Sequence, residues 1–285
     1  MSNREIRKEA QACIWGNFGP LMGLTTLFLL ANAVLLGVFL GADRLLNGLV
    51  LGNSLEGVIA RTAGTLVFLL ALAPCWLGAA RELVGLSQGD TPSARRALHW
   101  FGDAQRRGRA YGLMGRVIRR AALYWLAAFA VMFLLLMLQH RGLLEPEALG
   151  ARGSAIVANV EACARIAIPL LLLPYLPALF FQAADLDRTP AESIDESRAA
   201  MYPVYRAGVR LLIGVTLQTG LVSLPLGAAA VLLAAYVPLA GPIALLLWEL
   251  LLGTGAFLYG AVSLLLLVKG QMEEKGRELA IVEEL

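Results

Sequence analysis

Glu249 is the only charged residue in an otherwise apolar run, 242–268. A carboxylate in such a run is costly unless it faces a counter-charge, a bundle interior or water. It therefore suggests a proton or substrate site. A structural ion pair, or a carboxylate reaching back to the interface, fits the same pattern. Arg61 and Arg165 stand at the corresponding ends of two other apolar runs and are candidate partners for Glu249. Tyr175 completes this candidate intramembrane site. Three prolines surround it, Pro169, Pro174 and Pro177, and prolines free backbone carbonyls and kink helices. Pro74 and Pro225 interrupt two further runs. Broken helices can line transport sites, and prolines can equally serve packing alone.

A second set is basic. Arg106, Arg107, Arg109, Arg116, Arg119 and Arg120 fall within fifteen residues and are candidate contacts for anionic lipid head groups. The same charges also suffice as a topology signal. No recognised motif accompanies them that would point to nucleic acid.

Other reactive chemistry is sparse. Cys13, Cys75 and Cys163 are isolated and show neither metal-ligand spacing nor a disulfide framework. His99 and His140 lack a neighbouring ligand cluster, so no metal is expected. The sequence contains no nucleotide-binding loop, zinc-protease helix or Gly-x-Ser-x-Gly elbow. Asp185/Asp187 and Asp195/Glu196 lie beside a helix start, where acidic residues favour the helix dipole. The residues thus suggest neither an enzyme nor a cofactor.

The elements positioning these residues follow from composition. Of 285 residues, 58% are hydrophobic and 16% charged, and the mean hydropathy is +0.69. Water could not solvate so apolar a chain, whereas lipid could. About 20 apolar residues cross a bilayer as a helix. Six stretches qualify: 20–42, 58–80, 121–139, 163–184, 211–236 and 242–268. The first is expected to be retained, since no convincing cleavage site follows it.

Charge sets the orientation. Of 24 basic residues, 19 fall in the N-terminal segment, the loops between spans two and three and between four and five, and the C-terminal tail. The other side has five: Arg44, Arg61, Arg141, Arg152 and Arg165. The positive-inside rule places both termini in the cytoplasm and the protein in the cell (inner) membrane. Trp15, Trp100, Trp125 and Trp248 fall near span boundaries, as interfacial anchors do.

The segments entering spans one, three and five resemble one another. Ser2 with Glu5, Thr91 with Pro92, and Thr189 with Pro190 and Glu192 are helix-start signals. Each opens an amphipathic stretch: Ile6, Ala10, Cys13 and Ile14; Ala94, Ala97, Leu98 and Phe101; Ile194, Ser197, Met201, Tyr202 and Tyr205. The expected fold is all-α, a single domain of six membrane helices with three amphipathic interfacial helices. It reads as a parallel threefold repeat of helix plus hairpin in units 1–88, 89–187 and 188–268, followed by a tail at 269–285.

These residues also carry a resemblance. REIRKEAQACIWGNFGPLMG, GAARELVGLSQGDTPSARRALHWF and PAESIDESRAAMYPVYRAGVRLLIG resemble segments of the DUF975 membrane proteins. In the last, Ser197, Arg198 and Met201 match a Ser-Arg-x-x-Met helix, and Tyr202-Pro203 replaces the glycine that usually follows. The layout is similar to the membrane domain attached to some glycerophosphodiester phosphodiesterases. The resemblance implies a multi-pass bacterial membrane protein and no catalytic residue.

The reading is therefore a non-enzymatic membrane component that binds lipids, a protein partner or a second copy of itself. The alternative is a transporter or permease component for a small or lipid-like molecule.

Overall fold

The computed structural model describes residues 3–45, 54–141, 153–236 and 259–273. Helices α1 (Asn3–Gly16) and α2 (Phe18–Leu45) are separated only at Asn17, then come α3 (Leu55–Ala71), α4 (Ala73–Leu86) and α5 (Ala94–Gly102). They are followed by α6 (Ala104–His140), α7 (Gly153–Leu172), a 3-10 turn (Leu173–Tyr175), α8 (Ala178–Ala184) and α9 (Pro190–Tyr236). Residues 259–273 form a last helical segment, α10. No strand occurs among the described residues.

Among these residues, Ala104–His140 and Ala155–Ala184 are long and apolar enough to cross a membrane, and the pair α3–α4 is a third if counted as one bent span. Only 11% of the most apolar window of α6 is buried. Leu123, Leu126, Phe133 and Leu134 all point outward. A helix whose apolar exterior is this bare is in keeping with a hydrocarbon solvent.

Two of the expected spans are broken. The run 58–80 bends by 58° between α3 and α4, at Leu72 and just before Pro74. The run 163–184 starts earlier than expected, inside a helix that begins at Gly153, and breaks at the 3-10 turn around Pro174. In both cases the half beyond the break packs into protein. In α4 nearly every residue from Ala73 to Leu86 is buried, and α8 buries Ala178, Phe180, Gln182 and Ala183. Pro225, by contrast, lies inside continuous helix. Residues 211–236, expected as a separate span, are the second half of α9, whose first half carries the amphipathic stretch.

The buried halves build the core at the arginine-rich end. One cluster joins Ile6 and Ala10 of α1, Leu83 of α4, Phe180 of α8, Met201 and Leu211 of α9 and Val262 to Val268 of α10. A second joins Leu77, Trp100, Leu113, Tyr175 and Ile194. Trp100 is thus a core residue and not an interfacial anchor. Trp15 is exposed, while Trp125 packs at a tilt on Phe129 beside a small cluster of Val58, Met132 and Val157. Leu98, expected on the apolar face of α5, is exposed, as is Tyr202 on α9.

Gly78 allows the closest approach in this core. A Cβ there would lie 2.1 Å from the carbonyl oxygen of Ala97, so α4 and α5 meet backbone to backbone. Gly89 takes φ +95° in the turn after α4, where the amide of Asp90 reaches the carbonyl of Gly85. A left-handed residue ending a helix this way favours glycine.

The helix starts differ in detail. At α9 the expected box is present: the Thr189 N–H donates to Glu192 Oε2 at 2.7 Å, and the Glu192 N–H donates to Thr189 Oγ1 at 3.3 Å. At α5 the cap position falls to Ser93, not Thr91, and its side chain makes no capping bond. Of the expected Ser2–Glu5 box, Ser2 lies outside the described residues.

Candidate functional site

Arg61 of α3 and Arg165 of α7 do converge, on a carboxylate that sequence reading passed over. Arg61 Nη2 donates to Glu161 Oε2 at 3.0 Å and to Oε1 at 3.2 Å. Arg165 Nη2 and Nε donate to Glu161 Oε1 at 2.6 and 3.1 Å. Arg165 lies one turn along the same helix, a favourable spacing for an ion pair, and its side chain is largely exposed. Glu161 is buried and Arg61 half-buried, at 10% and 16% side-chain exposure. Both carboxylate oxygens are engaged, so the group works as a clamp between α3 and α7. Glu249, the partner expected for these arginines, lies outside the described residues.

Tyr175 does not join that cluster. It sits at the break after α7, buried among Leu77, Trp100 and Ile194. There Arg120 Nη1 donates to its hydroxyl at 3.2 Å, with the guanidinium 4.6 Å from the ring centroid. Arg198 of α9 lies 6.0 Å from the same ring and 5.6 Å from the ring of Tyr202. Cations over tyrosine faces are attracted by the ring quadrupole. The expected single site is therefore two: an acid-centred clamp at Glu161, and an arginine–tyrosine site at Tyr175.

Local backbone chemistry explains why Tyr175 is held there. Pro174 has no N–H for the carbonyl of Leu170. The hydroxyl of Tyr205 donates to that carbonyl at 3.1 Å. Ser197 Oγ donates to the carbonyl of Pro174 at 2.7 Å. Both donors stand on α9, which thereby fastens the break. Below it, fully buried Gln182 donates to the carbonyl of Arg188 at 2.8 Å and accepts from Ser193 Oγ at 3.3 Å.

The six arginines expected to share one surface divide. Arg106 pairs with Asp103 at 3.1 Å and lies 5.9 Å from the ring of Trp100. Arg107 donates to the carbonyl of Phe101 at 2.8 Å. Both fold back on the junction between α5 and α6. Arg109 is half-buried, and Arg116 and Arg119 are exposed. Arg120 alone reaches Tyr175.

Glu82 is another carboxylate that the sequence did not single out. Buried in α4, its Oε2 accepts from the Ser93 N–H at 2.6 Å and from Arg96 Nη2 and Nε at 2.9 and 3.2 Å. It supplies the acceptor side of the α5 start. A lone acid at the edge of an apolar run, with arginines elsewhere to meet it, is the signal that could have found both Glu82 and Glu161.

The larger of two cavities here, about 600 Å³, lies between α6, the break after α7, and α9, against Tyr124, Tyr175, Tyr202, Tyr205 and Arg206. The other, about 270 Å³, borders Glu82, Arg96, His99 and Arg106, and there the cations are set against Glu82. Among the described residues no group of His, Cys, Asp or Glu is arranged to hold a metal ion. Compared with known protein families, curated proteins and solved structures, the chain matches none.

Proposed function

We propose that this protein is a multi-pass component of the inner membrane, with six spans and both termini in the cytoplasm, and that it binds lipid or a partner without catalysing a reaction. The carrying observation is the division of the molecule into two ends. Helices such as α6 expose apolar side chains along their length, and the arginine-rich end gathers a packed core from α1, α4, α5, α8 and α10. The positive-inside rule sets the second end in the cytoplasm. Its arginines and tyrosines are the residue types that favour an anionic membrane interface.

The parallel repeat deepens this reading. Two units share an order of short entry helix, long helix and a helix broken near a proline, α1 to α4 and α5 to α8. In each the piece beyond the break is buried. Segment α10, buried from Val262 to Val268, takes the matching role in the third. The DUF975 resemblance points the same way, to a multi-pass membrane protein without assigned chemistry.

The transporter reading is supported by the carboxylate of Glu249 in its apolar run and by the proline-interrupted helix beside the cavity at Tyr175. The Glu161 clamp does not add to it, since its oxygens are already occupied by two arginines.

Native mass spectrometry of the protein released gently from its own membranes tests the proposal. Retention of phospholipid or a stoichiometric protein partner is the expected result. A bare particle that moves a solute into proteoliposomes, and stops doing so with Glu249→Gln, would replace this reading with the transporter.

A further inference from the structure

We infer that the tyrosine-lined groove between α6, the break after α7, and α9 is a seat for the head group of an anionic phospholipid, a deepening that rests on the lipid-binding reading above. Four tyrosines face or flank this space, Tyr124, Tyr175, Tyr202 and Tyr205, with Arg206 in its wall. Its volume of about 600 Å³ falls within the range of small-molecule sites.

The charge around the groove has one sign. Arg120 and Arg198 flank Tyr175, and Arg206 adds a third guanidinium. No carboxylate lines the groove. Among the described residues, Arg120 and Arg206 have no carboxylate within ion-pair distance, and Arg198 meets only Asp195, at 3.8 Å and 75% exposed. Guanidinium forks and tyrosine hydroxyls together suit the oxygens of a phosphate.

The groove also has an apolar exit. Beyond Arg120, α6 carries no charge as far as His140, and beyond Arg210, α9 carries none as far as Tyr236. Leu171 at the groove is about half exposed, and Ile213 and Leu217 continue outward on the face of α9 that carries Arg206. A ligand with a phosphate at one end and acyl chains at the other matches this polarity. A free phosphate would leave the apolar stretch without a partner, and a zwitterionic head group would set its cation beside Arg206 in the wall, with Arg120 and Arg198 behind Tyr175.

The full-length protein in bilayer nanodiscs of equal phosphatidylglycerol and phosphatidylcholine provides the test, with the retained lipids identified by native mass spectrometry. Wild type is expected to retain phosphatidylglycerol preferentially. Arg120→Gln/Arg206→Gln should reduce that preference about tenfold, the size of a lost charge-assisted contact. Arg116→Gln/Arg119→Gln makes the same charge change on exposed residues of α6 outside the groove, and should keep the preference. Should the Arg120 variant not fold, Arg206→Gln alone, on an exposed side chain, serves instead. An equal fall in both double variants, or no fall in the groove variants, overturns the groove as the seat while leaving lipid binding intact. Equal retention of the two lipids by wild type defeats the lipid reading itself. Adding glycerol phosphate separates a soluble ligand from a lipid: displacement of the retained lipid at millimolar concentration would overturn the assignment to phospholipid.

Discussion

Arg61 and Glu161, one hundred residues apart in the chain, meet side by side with a nitrogen–oxygen distance of 3.0 Å. Their helices α3 and α7 both contact α6, and the pair closes the third side of that packing. Removing one member of a buried ion pair strands the other charge. Glu161→Gln should therefore destabilise the protein by about 3 kcal/mol, read as a lowered Tm in detergent. Arg165→Gln, on a largely exposed side chain, should cost under about 1 kcal/mol. The double variant Arg61→Met/Glu161→Met should be more stable than Glu161→Gln, because the one charge it leaves without its partner, Arg165, is largely exposed. If the double variant were the least stable of the three, the clamp would not be the source of the effect.

The contact of α4 with α5 makes a different prediction, from sterics alone. Gly78→Ala would put a methyl group into the backbone of Ala97. It should cost at least about 3 kcal/mol, as strained overpacking does, or prevent folding. Ala97→Gly should not rescue it, because the clash is with the carbonyl and not the side chain. Gly108→Ala, with nothing within 4 Å in α6, should leave stability unchanged or raise it by up to about 1 kcal/mol. Comparing yield and Tm of these three variants checks the geometry.

The start of α9 carries a pH dependence. The N–H of Thr189 holds the Glu192 carboxyl below its usual range, assisted by the Thr189 hydroxyl. A depressed folded pKa contributes stability that is fully present above the unfolded value and is lost as pH falls through the folded one. The first turn of α9 should therefore loosen as pH falls below the ordinary glutamate range. Hydrogen exchange at residues 191–193, corrected for intrinsic rates, should rise there in wild type and vary less with pH in Glu192→Gln. Identical pH profiles would remove the cap from the account.

Much of the helix pattern was legible in the chain, because a long apolar run determines a helix whatever surrounds it. The runs 20–42 and 121–139 both lie inside observed helices, α2 and α6. The breaks were less legible. Pro74, Pro174 and Pro177 mark real ones, whereas Pro169 and Pro225 lie within continuous helix. A proline interrupts a helix more readily where a neighbour takes up the freed carbonyl. Tyr205 does so for Leu170 at 3.1 Å, a partner 35 residues away that no local pattern reveals. The candidate site was half visible for the same reason. Arg61 and Arg165 stood out as charges in apolar surroundings, but their common partner, Glu161, sits just before the run expected as span four. Tyr175 was noticed for its prolines, and its arginine neighbours come from α6 and α9, brought together only by the fold.

The central claim, that the arginine-rich end faces the cytoplasm, is tested most directly by single-cysteine labelling. In a variant with Cys13, Cys75 and Cys163 replaced, Gly108→Cys marks the arginine-rich end and His140→Cys the far end of α6. A membrane-impermeant maleimide applied to intact cells should label the His140 position and spare the Gly108 position, and inside-out vesicles should show the reverse. Labelling of the Gly108 position from outside intact cells, with the His140 position protected, would contradict the orientation and with it the assignment of the arginine–tyrosine groove to the cytoplasmic leaflet.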